Sequence, residues 1–127
     1  MEGKKVLIVD DSKMQLMMLN FCLNDLGYTD IIQAYNGEEA LAIAKEQKFD
    51  LVISDINMPK MHGLALVKML RNMPEYEHTP ILIVSTASSD TTIAAAKEAG
   101  ACAYIKKPFA TDSIKKAIDK LIINGKC

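Results

Sequence analysis

The stretch Val6-Leu7-Ile8-Val9-Asp10-Asp11-Ser12 shows the pattern that decides the fold: a short apolar run ends in carboxylates, and a helical segment follows. Continuous apolar runs rich in β-branched residues are typical of parallel strands that are covered on both faces. Two more runs of this kind lie at residues 51–53 and 81–84. The sequence therefore predicts three interior strands of a parallel sheet.

Shorter and more mixed runs at residues 31–34 and 103–105 predict two edge strands. Helical segments alternate with the strands and cover about 13–26, 37–47, 64–72, a stretch from Ser88 or Ser89 to Gly100, and one from Thr111 or Asp112 to about 123. Such alternation forms a parallel sheet, and right-handed crossovers place helices on both faces. The predicted fold is α/β, a (βα)5 doubly wound five-stranded parallel sheet.

The first helical segment carries its own start and stop signals. Ser12 followed by Gln15 fits a capping box, in which the serine oxygen accepts from a backbone amide and the glutamine reaches back. Gly27 suits the left-handed position that ends a helix. Between these signals the sequence predicts an amphipathic helix, because one apolar stripe contains Met14, Met17, Met18, Phe21 and Cys22.

The length and charge of the chain exclude several classes of protein. A chain of 127 residues corresponds to one domain, which we expect to span residues 1–127. Fifteen basic residues against sixteen acidic ones leave a net charge of −1. The sequence thus lacks the basic surface that nucleic-acid binding requires.

Membrane insertion is not expected either. The apolar runs are far shorter than the roughly 20 residues that span a bilayer, and we expect no signal peptide before the first strand. Three scattered cysteines, Cys22, Cys102 and Cys127, lack the spacing of metal ligands. These features predict a cytoplasmic location.

Reactive side chains stand at the predicted carboxyl ends of four strands. Asp10 and Asp11 follow the first strand, Asp55 the third, Thr86 the fourth and Lys107 the fifth. Each has an ordinary interpretation as a helix cap, a turn residue or an exposed charge. In open α/β sheets, however, ligands bind outside the carboxyl ends of the strands. The joint occurrence therefore predicts a functional site.

The residue types at these strand ends point to phosphoryl chemistry. Clustered carboxylates repel one another and favour a bound cation, and oxygen ligands with room for phosphate suit Mg²⁺. One aspartate oxygen could then attack phosphorus and form an acyl phosphate. Lys107 and the Thr86 hydroxyl would hold the remaining phosphoryl oxygens.

At these residues the sequence resembles the receiver domains of two-component response regulators, and among them the single-domain chemotaxis regulators. The resemblance covers essentially the whole chain. It rests on Val-Asp-Asp-Ser at 9–12, Ser-Asp-Ile-Asn-Met-Pro-Lys-Met-His-Gly at 54–63, Ser-Thr-Ala at 85–87 and Lys-Lys-Pro-Phe at 106–109. It implies a flavodoxin-like sheet with the strand order 2-1-3-4-5.

The resemblance also implies roles for the metal and acceptor residues. Asp55 corresponds to the phosphoacceptor of the family. Asp11 corresponds to a direct ligand of Mg²⁺, and Asp10 to one that acts mostly through water. Asn57 would bind the metal through its backbone carbonyl.

Further roles concern the switch. Thr86 corresponds to the switch hydroxyl and Lys107 to the phosphate-binding lysine, with a cis bond between Lys107 and Pro108. Tyr104 corresponds to the aromatic residue that reports phosphorylation. Phosphorylation would then reshape the face built by the fourth helix, the fifth strand and the fifth helix.

The implied phosphodonor is a phosphohistidine on a sensor histidine kinase. The implied downstream partner is a flagellar motor switch protein in chemotaxis, or a histidine phosphotransfer domain in a phosphorelay. Two positions depart from the family pattern: His62 stands where an acidic residue is frequent, and Lys106 where an apolar one is frequent. Two others, Ile56 and Ser88, occupy the positions that in this family control access of water to the acyl phosphate.

Three other classes of function remain as alternatives. A phosphatase of the haloacid dehalogenase type uses an aspartate nucleophile, but in an Asp-x-Asp motif after the first strand, whereas Asp10 and Asp11 are adjacent. A flavin carrier would need a hydroxyl- and glycine-rich phosphate-binding loop after the first strand, where this chain has two aspartates. A binding module with an inactive site would not need the complete set of site residues. We therefore expect a signalling protein and not an enzyme.

Overall fold

Strands and helices alternate along the chain as predicted. The computed structural model describes residues 4–58, 61–86 and 89–124. The strands are β1 Lys5–Val9, β2 Asp30–Ala34, β3 Leu51–Ser54, β4 Ile81–Ser85 and β5 Ala103–Lys106. The helices are α1 Lys13–Asp25, α2 Gly37–Glu46, α3 Gly63–Arg71, α4 Asp90–Ala99 and α5 Thr111–Asn124, with a short 3₁₀ helix at Pro74–Tyr76.

The strands form one sheet in the order β2-β1-β3-β4-β5, and every neighbouring pair is parallel. The residues of β3 and β4 are all buried, as are residues 6–9 of β1, whereas β2 and β5 lie at the edges and are only partly buried. Strands covered by helices on both faces bury both sets of alternating side chains, which explains their continuous apolar runs. The predicted fold and strand order are confirmed.

An apolar core lies on each face of the sheet. On one face α1 and α5 contribute Leu16, Leu19, Leu23, Ile114 and Ile118. On the other face α2, α3 and α4 contribute Ala40, Leu41, Ala44, Leu66, Val67, Leu70, Ala96 and Ala99. Because β2 and β3 flank β1 on opposite sides, the winding direction reverses there, and a crevice opens at the carboxyl ends of β1 and β3.

The predicted apolar stripe of α1 does not pack on the core. Met14, Met17 and Phe21 are 69%, 70% and 70% exposed, and Met18 is exposed too. Of that stripe only Cys22 is buried, and the core-facing residues are Leu16, Leu19, Cys22 and Leu23. This helix is apolar on two faces, so periodicity alone does not identify the buried one.

The capping box of α1 forms only in part. Gln15 N donates to the Ser12 hydroxyl over 3.3 Å, as predicted. Ser12 N, however, donates to Asp10 Oδ1 over 3.0 Å, so the glutamine side chain is not its acceptor. Gly27 has a φ of 99°, which confirms the left-handed position after the helix. The start of α1 is thus tied to a residue of the predicted site.

Other helix ends lie within one or two residues of the prediction. The first residue of α3 is Gly63, and Leu64 N donates to Nδ1 of His62 over 3.3 Å. Ser89 caps α4, because its hydroxyl accepts from Thr92 N over 3.1 Å. Among the helices in the described ranges, none is long and apolar enough to cross a bilayer.

Candidate functional site

Three aspartates meet at the carboxyl edge of the sheet. Asp10 follows β1, and its backbone N donates to Ala34 O over 3.1 Å. Asp55 follows β3, and its backbone N donates to Val9 O over 3.0 Å. These bonds continue the parallel ladders past the strand ends and bring both aspartates together. One carboxylate oxygen from each of Asp10, Asp11 and Asp55 lies within 4.8 Å of the others; Asp10 and Asp55 are buried and Asp11 is exposed.

Lys107 joins the two buried aspartates. Its backbone N donates to Ser85 O over 2.9 Å, which extends the pairing of β4 with β5. Its Nζ lies 2.7 Å from Asp10 Oδ2 and 3.2 Å from Asp55 Oδ2. The peptide bond between Lys107 and Pro108 is cis, as the resemblance implied. One ammonium group from the edge strand therefore contacts carboxylates that follow the first and third strands.

Each buried carboxylate has one oxygen held by its own turn and the other directed at Lys107. Asp10 Oδ1 accepts from Ser12 N over 3.0 Å, and Asp55 Oδ1 accepts from Ile56 N over 2.7 Å. In both cases Oδ2 faces the ammonium group. Two bonds in different directions fix the orientation of each carboxylate, so the oxygens are positioned before any ligand binds.

The electrostatics of the site leave an excess of negative charge. Burial raises the pKa of Asp10, although hydrogen bonds from Lys107 and Ser12 N act in the opposite direction. Burial lowers the pKa of Lys107, but the hydrogen bond and charge of Asp10, with the charge and hydrogen bond of Asp55, outweigh it, and the pKa of Lys107 is raised. Lys107 thus stays protonated. Three carboxylates against one ammonium group favour a further cation.

The donor set fits a hard divalent cation. Carboxylate oxygens are the ligands that Mg²⁺ prefers, and it is commonly bound by one or two carboxylates with water or phosphate oxygens in the other positions. Asp11, exposed beside two buried carboxylates, leaves the site open toward solvent. The acidic pocket expected of a receiver domain is therefore present.

The other predicted site residues lie at or near the same edge. Thr86 follows β4 and is exposed, and Asn57 is exposed two residues after Asp55. Tyr104 pairs in register with Ile83 and packs against the core on the α2–α4 face, with its hydroxyl oxygen shielded from solvent. Burial raises the pKa of that hydroxyl. The ion pairs of the site thus join Lys107 to Asp10 and Asp55. Thr86 lies just after β4, and Tyr104 lies within the neighbouring strand β5.

The positions that depart from the family pattern, or that in the family control access of water, follow the site residues closely in the chain or precede them. Ile56 is buried, and Lys106 is exposed at the end of β5. His62 is exposed and acts as the cap of α3. Ser88 lies outside the described residues.

Two glycines that carried no predicted role pack closely against residues that lie between β3 and α3. Gly63 N donates to Ile56 O over 2.7 Å, and a Cβ atom at Gly63 would overlap the carbonyl oxygen of Asp55. A Cβ atom at Gly37 would lie 2.6 Å from the carbonyl oxygen of Met61. A glycine at a helix start is the only sequence signal for either contact. Close packing therefore holds the backbone at Asp55, Ile56 and Met61.

We expect Asp10→Asn to stabilise the metal-free protein. A carboxyl whose pKa is raised binds its proton more tightly when folded, so its ionised form costs stability as pH rises above the ordinary carboxyl pKa. Lys107 retains Asp55 as a partner in the variant. The free energy of unfolding at pH 7 in a chelator should rise by about 1 kcal/mol. Urea unfolding checks this, and the difference between variant and wild type should shrink as the pH falls toward 3; a less stable variant at pH 7 would contradict it.

Comparison with known proteins agrees with this geometry. Residues 6–119 match the family model of the response regulator receiver domain. Chemotaxis protein CheY-3 of Vibrio cholerae is 37% identical over 120 residues, which cover 94% of this chain and 92% of the relative. The crystal structure of chemotaxis response regulator CheY4 of Vibrio cholerae is similar with a TM-score of 0.87 and 39% identity, covering 93% and 98% of the two chains. A CheX–CheY–BeF₃–Mg²⁺ complex from Borrelia burgdorferi matches with a TM-score of 0.88 and 26% identity, covering 94% and 89%. The chain belongs to the response regulator receiver domain family, with the CheY-like fold and chemotaxis proteins among its relatives.

Proposed function

We propose that this protein is a phosphorylation-dependent signalling switch of a two-component system, built as a single receiver domain over residues 1–127. The observation that carries the proposal is the pair of contacts that Lys107 Nζ makes with Asp10 and Asp55. These contacts support the proposal because they bring together a carboxylate that could act as a nucleophile, an acidic cluster suited to a cation and an ammonium group that could bind phosphate oxygens. Phosphoryl transfer needs these three elements together.

Asp55 is the phosphoacceptor in this mechanism. A carboxylate oxygen of Asp55 attacks the phosphorus of a phosphohistidine, the phosphorus–nitrogen bond breaks, and the imidazole leaves with the bonding electron pair and takes up a proton. The product is an acyl phosphate on Asp55. Lys107 and the Thr86 hydroxyl would hold the peripheral phosphoryl oxygens, which carry the negative charge of the transition state.

The acidic cluster is the proposed site of Mg²⁺. Asp11 and Asp55 would bind it directly, Asn57 through its backbone carbonyl, and Asp10 mostly through water. The ion supplies positive charge that offsets repulsion between the carboxylates and the incoming phosphoryl group. The fixed Oδ1 bonds of Asp10 and Asp55 keep these two side chains oriented for that task.

Thr86 and Tyr104 would couple the phosphoryl group to a partner-binding face. An acyl phosphate is more negative than a carboxylate and seeks hydrogen-bond donors, so the Thr86 hydroxyl turns toward it. Tyr104 lies on the adjacent strand and its hydroxyl oxygen is buried, so it responds to the space that Thr86 vacates. The face formed by α4, β5 and α5 then changes between two states whose populations the phosphoryl group shifts.

The proposed partners follow from this role. The donor is a sensor histidine kinase, which uses ATP and thus places the reaction in the cytoplasm. Relatives named as chemotaxis proteins favour a flagellar motor switch protein as the downstream partner. A histidine phosphotransfer domain is the partner if the chain relays its phosphoryl group. Apart from accepting and releasing that group, we propose no enzymatic activity.

Weighing the intact protein tests the proposal. With acetyl phosphate and Mg²⁺, we expect the mass of one phosphoryl group to be added to the wild type. The addition should be absent from Asp55→Asn and absent when the metal is chelated. An unchanged mass of the wild type under all conditions would overturn the proposal, and steady hydrolysis of small phosphoesters would favour a phosphatase.

The exposed stripe of α1 is the surface that we propose for docking of the kinase. Met14, Met17, Met18 and Phe21 line a groove with a volume of about 760 Å³, which Phe109 and residues 110–111 close on the α5 side. The groove starts at Lys13, two residues after Asp11. Flexible thioether side chains suit an adaptable protein contact. A donor that binds there would contact the helix that begins two residues after Asp11.

We expect Met17→Glu to slow phosphorylation by the cognate kinase about tenfold or more, because a charge is then desolvated in the contact. The rate with acetyl phosphate, which needs no docking surface, should stay within twofold. Met69→Glu is the matched control, since Met69 is an exposed methionine on α3. Equal loss of both rates in Met17→Glu would contradict the docking role and indicate damage to the site.

A further inference from the structure

The helix α4 is buried at one end only. Its buried residues are Ala96 and Ala99, both in the second half of the helix. Residues 90–95 are exposed or half-buried. Since each buried apolar side chain adds stabilisation, the first half of α4 is held far less firmly than the second. The weakly held half is the one that follows β4 and Thr86.

The carboxyl end of α4 is closed by a tight backbone motif. Gly100 has a φ of 121°, and its N donates to Lys97 O over 3.0 Å. Ala101 N donates to Ala96 O over 3.0 Å, which completes a Schellman arrangement. Cys102 N then donates to Ile81 O over 2.8 Å and ties the following turn to β4. The end of the helix is thus joined to the sheet within three residues.

Arg71 adds a second attachment at the same place. Its Nε and Nη2 donate to Gly100 O over 3.0 and 2.8 Å. Its Nη1 donates to Tyr76 O and Thr79 O, each over 2.7 Å. A Cβ atom on Gly100 would lie 2.7 Å from Arg71 Cγ, so the arginine stem also packs against the turn. One guanidinium group therefore connects the end of α3, the connection to β4 and the end of α4.

The choice of arginine follows from this geometry. A planar guanidinium presents five N–H donors in fixed directions, whereas an ammonium group is a compact charge with three. The carbonyl oxygens that accept from Arg71 belong to separate backbone segments, since Nη1 donates to Thr79 O and Nη2 to Gly100 O. Burial lowers the pKa of Arg71, yet a guanidinium stays charged. Only arginine can bridge these separate backbone segments at once.

We propose that Arg71 is a positioning residue of the switch: it anchors the carboxyl end of α4 at Gly100, so that the response to phosphorylation is confined to the amino-terminal half of that helix. The proposal rests on the proposed function for its trigger, while the anchoring itself is independent of any phosphoryl group. With one end held, a small change at Thr86 moves the free end of α4 and alters the partner-binding face beside β5. A helix free at both ends would absorb the change by shifting as a whole.

Amide hydrogen exchange measured by mass spectrometry tests both parts. In the unphosphorylated wild type we expect amides of residues 97–103 to exchange at least tenfold more slowly than those of residues 91–95. With Mg²⁺ and beryllofluoride, a mimic of the phosphoryl group, only the segment at 91–95 should change its exchange rate. In Arg71→Met, exchange at 97–103 should rise at least tenfold, and beryllofluoride should now alter both segments.

Two further variants complete the test. Lys68→Met, one turn earlier on α3 and exposed, is the control and should match the wild type. Arg71→Lys keeps the charge and should give an intermediate rate at 97–103, which preserves the test if Arg71→Met does not fold. Unchanged protection of 97–103 in both arginine variants would overturn the proposal. So would equal responses of the two segments in the wild type. Absence of any response to beryllofluoride, together with a slow 97–103 segment that Arg71→Met releases, would refute the proposed function and leave the anchor standing.

Discussion

Replacing Gly63 by alanine is expected to destabilise the protein by about 3 kcal/mol and to disrupt the site in whatever fraction still folds. The added Cβ would overlap the carbonyl oxygen of Asp55 and lie 2.7 Å from Cα of Ile56. Both neighbours are backbone atoms of a buried segment, so neither can move aside as a flexible side chain could. The strand end that carries Asp55 must shift, together with the hydrogen bond from Gly63 N to Ile56 O.

Gly27→Ala provides the control that separates stability from site geometry. Gly27 has a φ of 99°, so alanine there costs roughly 1–2 kcal/mol of conformational energy. It follows α1 at the opposite edge of the sheet from Asp55, because α1 starts at the carboxyl end of β1 and leads to the start of β2. Urea unfolding should report a loss of stability in both variants. Calorimetric titration should report weaker Mg²⁺ binding only in Gly63→Ala, and normal Mg²⁺ affinity in that variant would contradict the argument.

Replacing Lys107 by methionine is expected to change Mg²⁺ binding and phosphorylation in opposite directions. The ammonium group contacts Asp10 and Asp55, two of the carboxylates proposed to attract the metal. Its removal leaves three carboxylates without an internal cation, so the affinity for Mg²⁺ should rise about tenfold. The same removal deletes the charge that we propose stabilises phosphoryl oxygens in the transition state. We therefore expect the phosphorylation rate to fall about 100-fold at saturating Mg²⁺.

Lys106→Met is the matched control for this variant, since Lys106 is the neighbouring lysine and its side chain is exposed. Its Mg²⁺ affinity and its rate of mass gain with acetyl phosphate should equal those of the wild type. Titration calorimetry measures the affinity, and intact mass at timed intervals measures the rate. A Lys107→Met protein that is phosphorylated at the normal rate would exclude Lys107 from a role in the transition state.

The two expected effects distinguish a switch from a passive metal site. A structural metal site loses nothing when a competing lysine is removed, and tighter binding would be the whole result. A phosphoryl-transfer site needs the lysine for chemistry although it competes with the metal in the unphosphorylated state. Because Lys107 contacts both Asp10 and Asp55, the single variant Lys107→Met tests both effects, on Mg²⁺ affinity and on the phosphorylation rate.

Local sequence was sufficient to predict the strands and helices and the edge of the sheet at which the site residues lie. Continuous apolar runs identified β1, β3 and β4, because strands covered on both faces admit no polar alternation. Because parallel strands share one direction, side chains that follow the strands lie at the same edge of the sheet. These side chains are those of Asp10, Asp11, Asp55, Thr86 and Lys107. These conclusions depend on near neighbours in the chain, which a single sequence contains.

Tertiary packing decided the features that depend on residues distant in the chain. Periodicity allowed α1 to bury either its methionine stripe or its leucines, and the sheet selected Leu16, Leu19 and Leu23 because they complete the core with β1 and α5. A glycine at a helix start is the only trace in the sequence of the contact between Gly63 and Asp55, and the carbonyl oxygens that accept from Arg71 left no pattern. Backbone atoms have the same chemistry at every position, so only the folded chain shows which of them approach one another.

The acidic cluster combines both sources. Its residue types and its edge of the sheet could be predicted, because a strand end is a local property. The orientation of each carboxylate could not: Oδ1 is held by an amide of its own turn and Oδ2 by Lys107, 97 residues from Asp10 and 52 from Asp55. The sequence by itself determined which groups reach the site; the tertiary structure decided which atom of each faces the others, because that depends on hydrogen bonds that form only when distant strands pair.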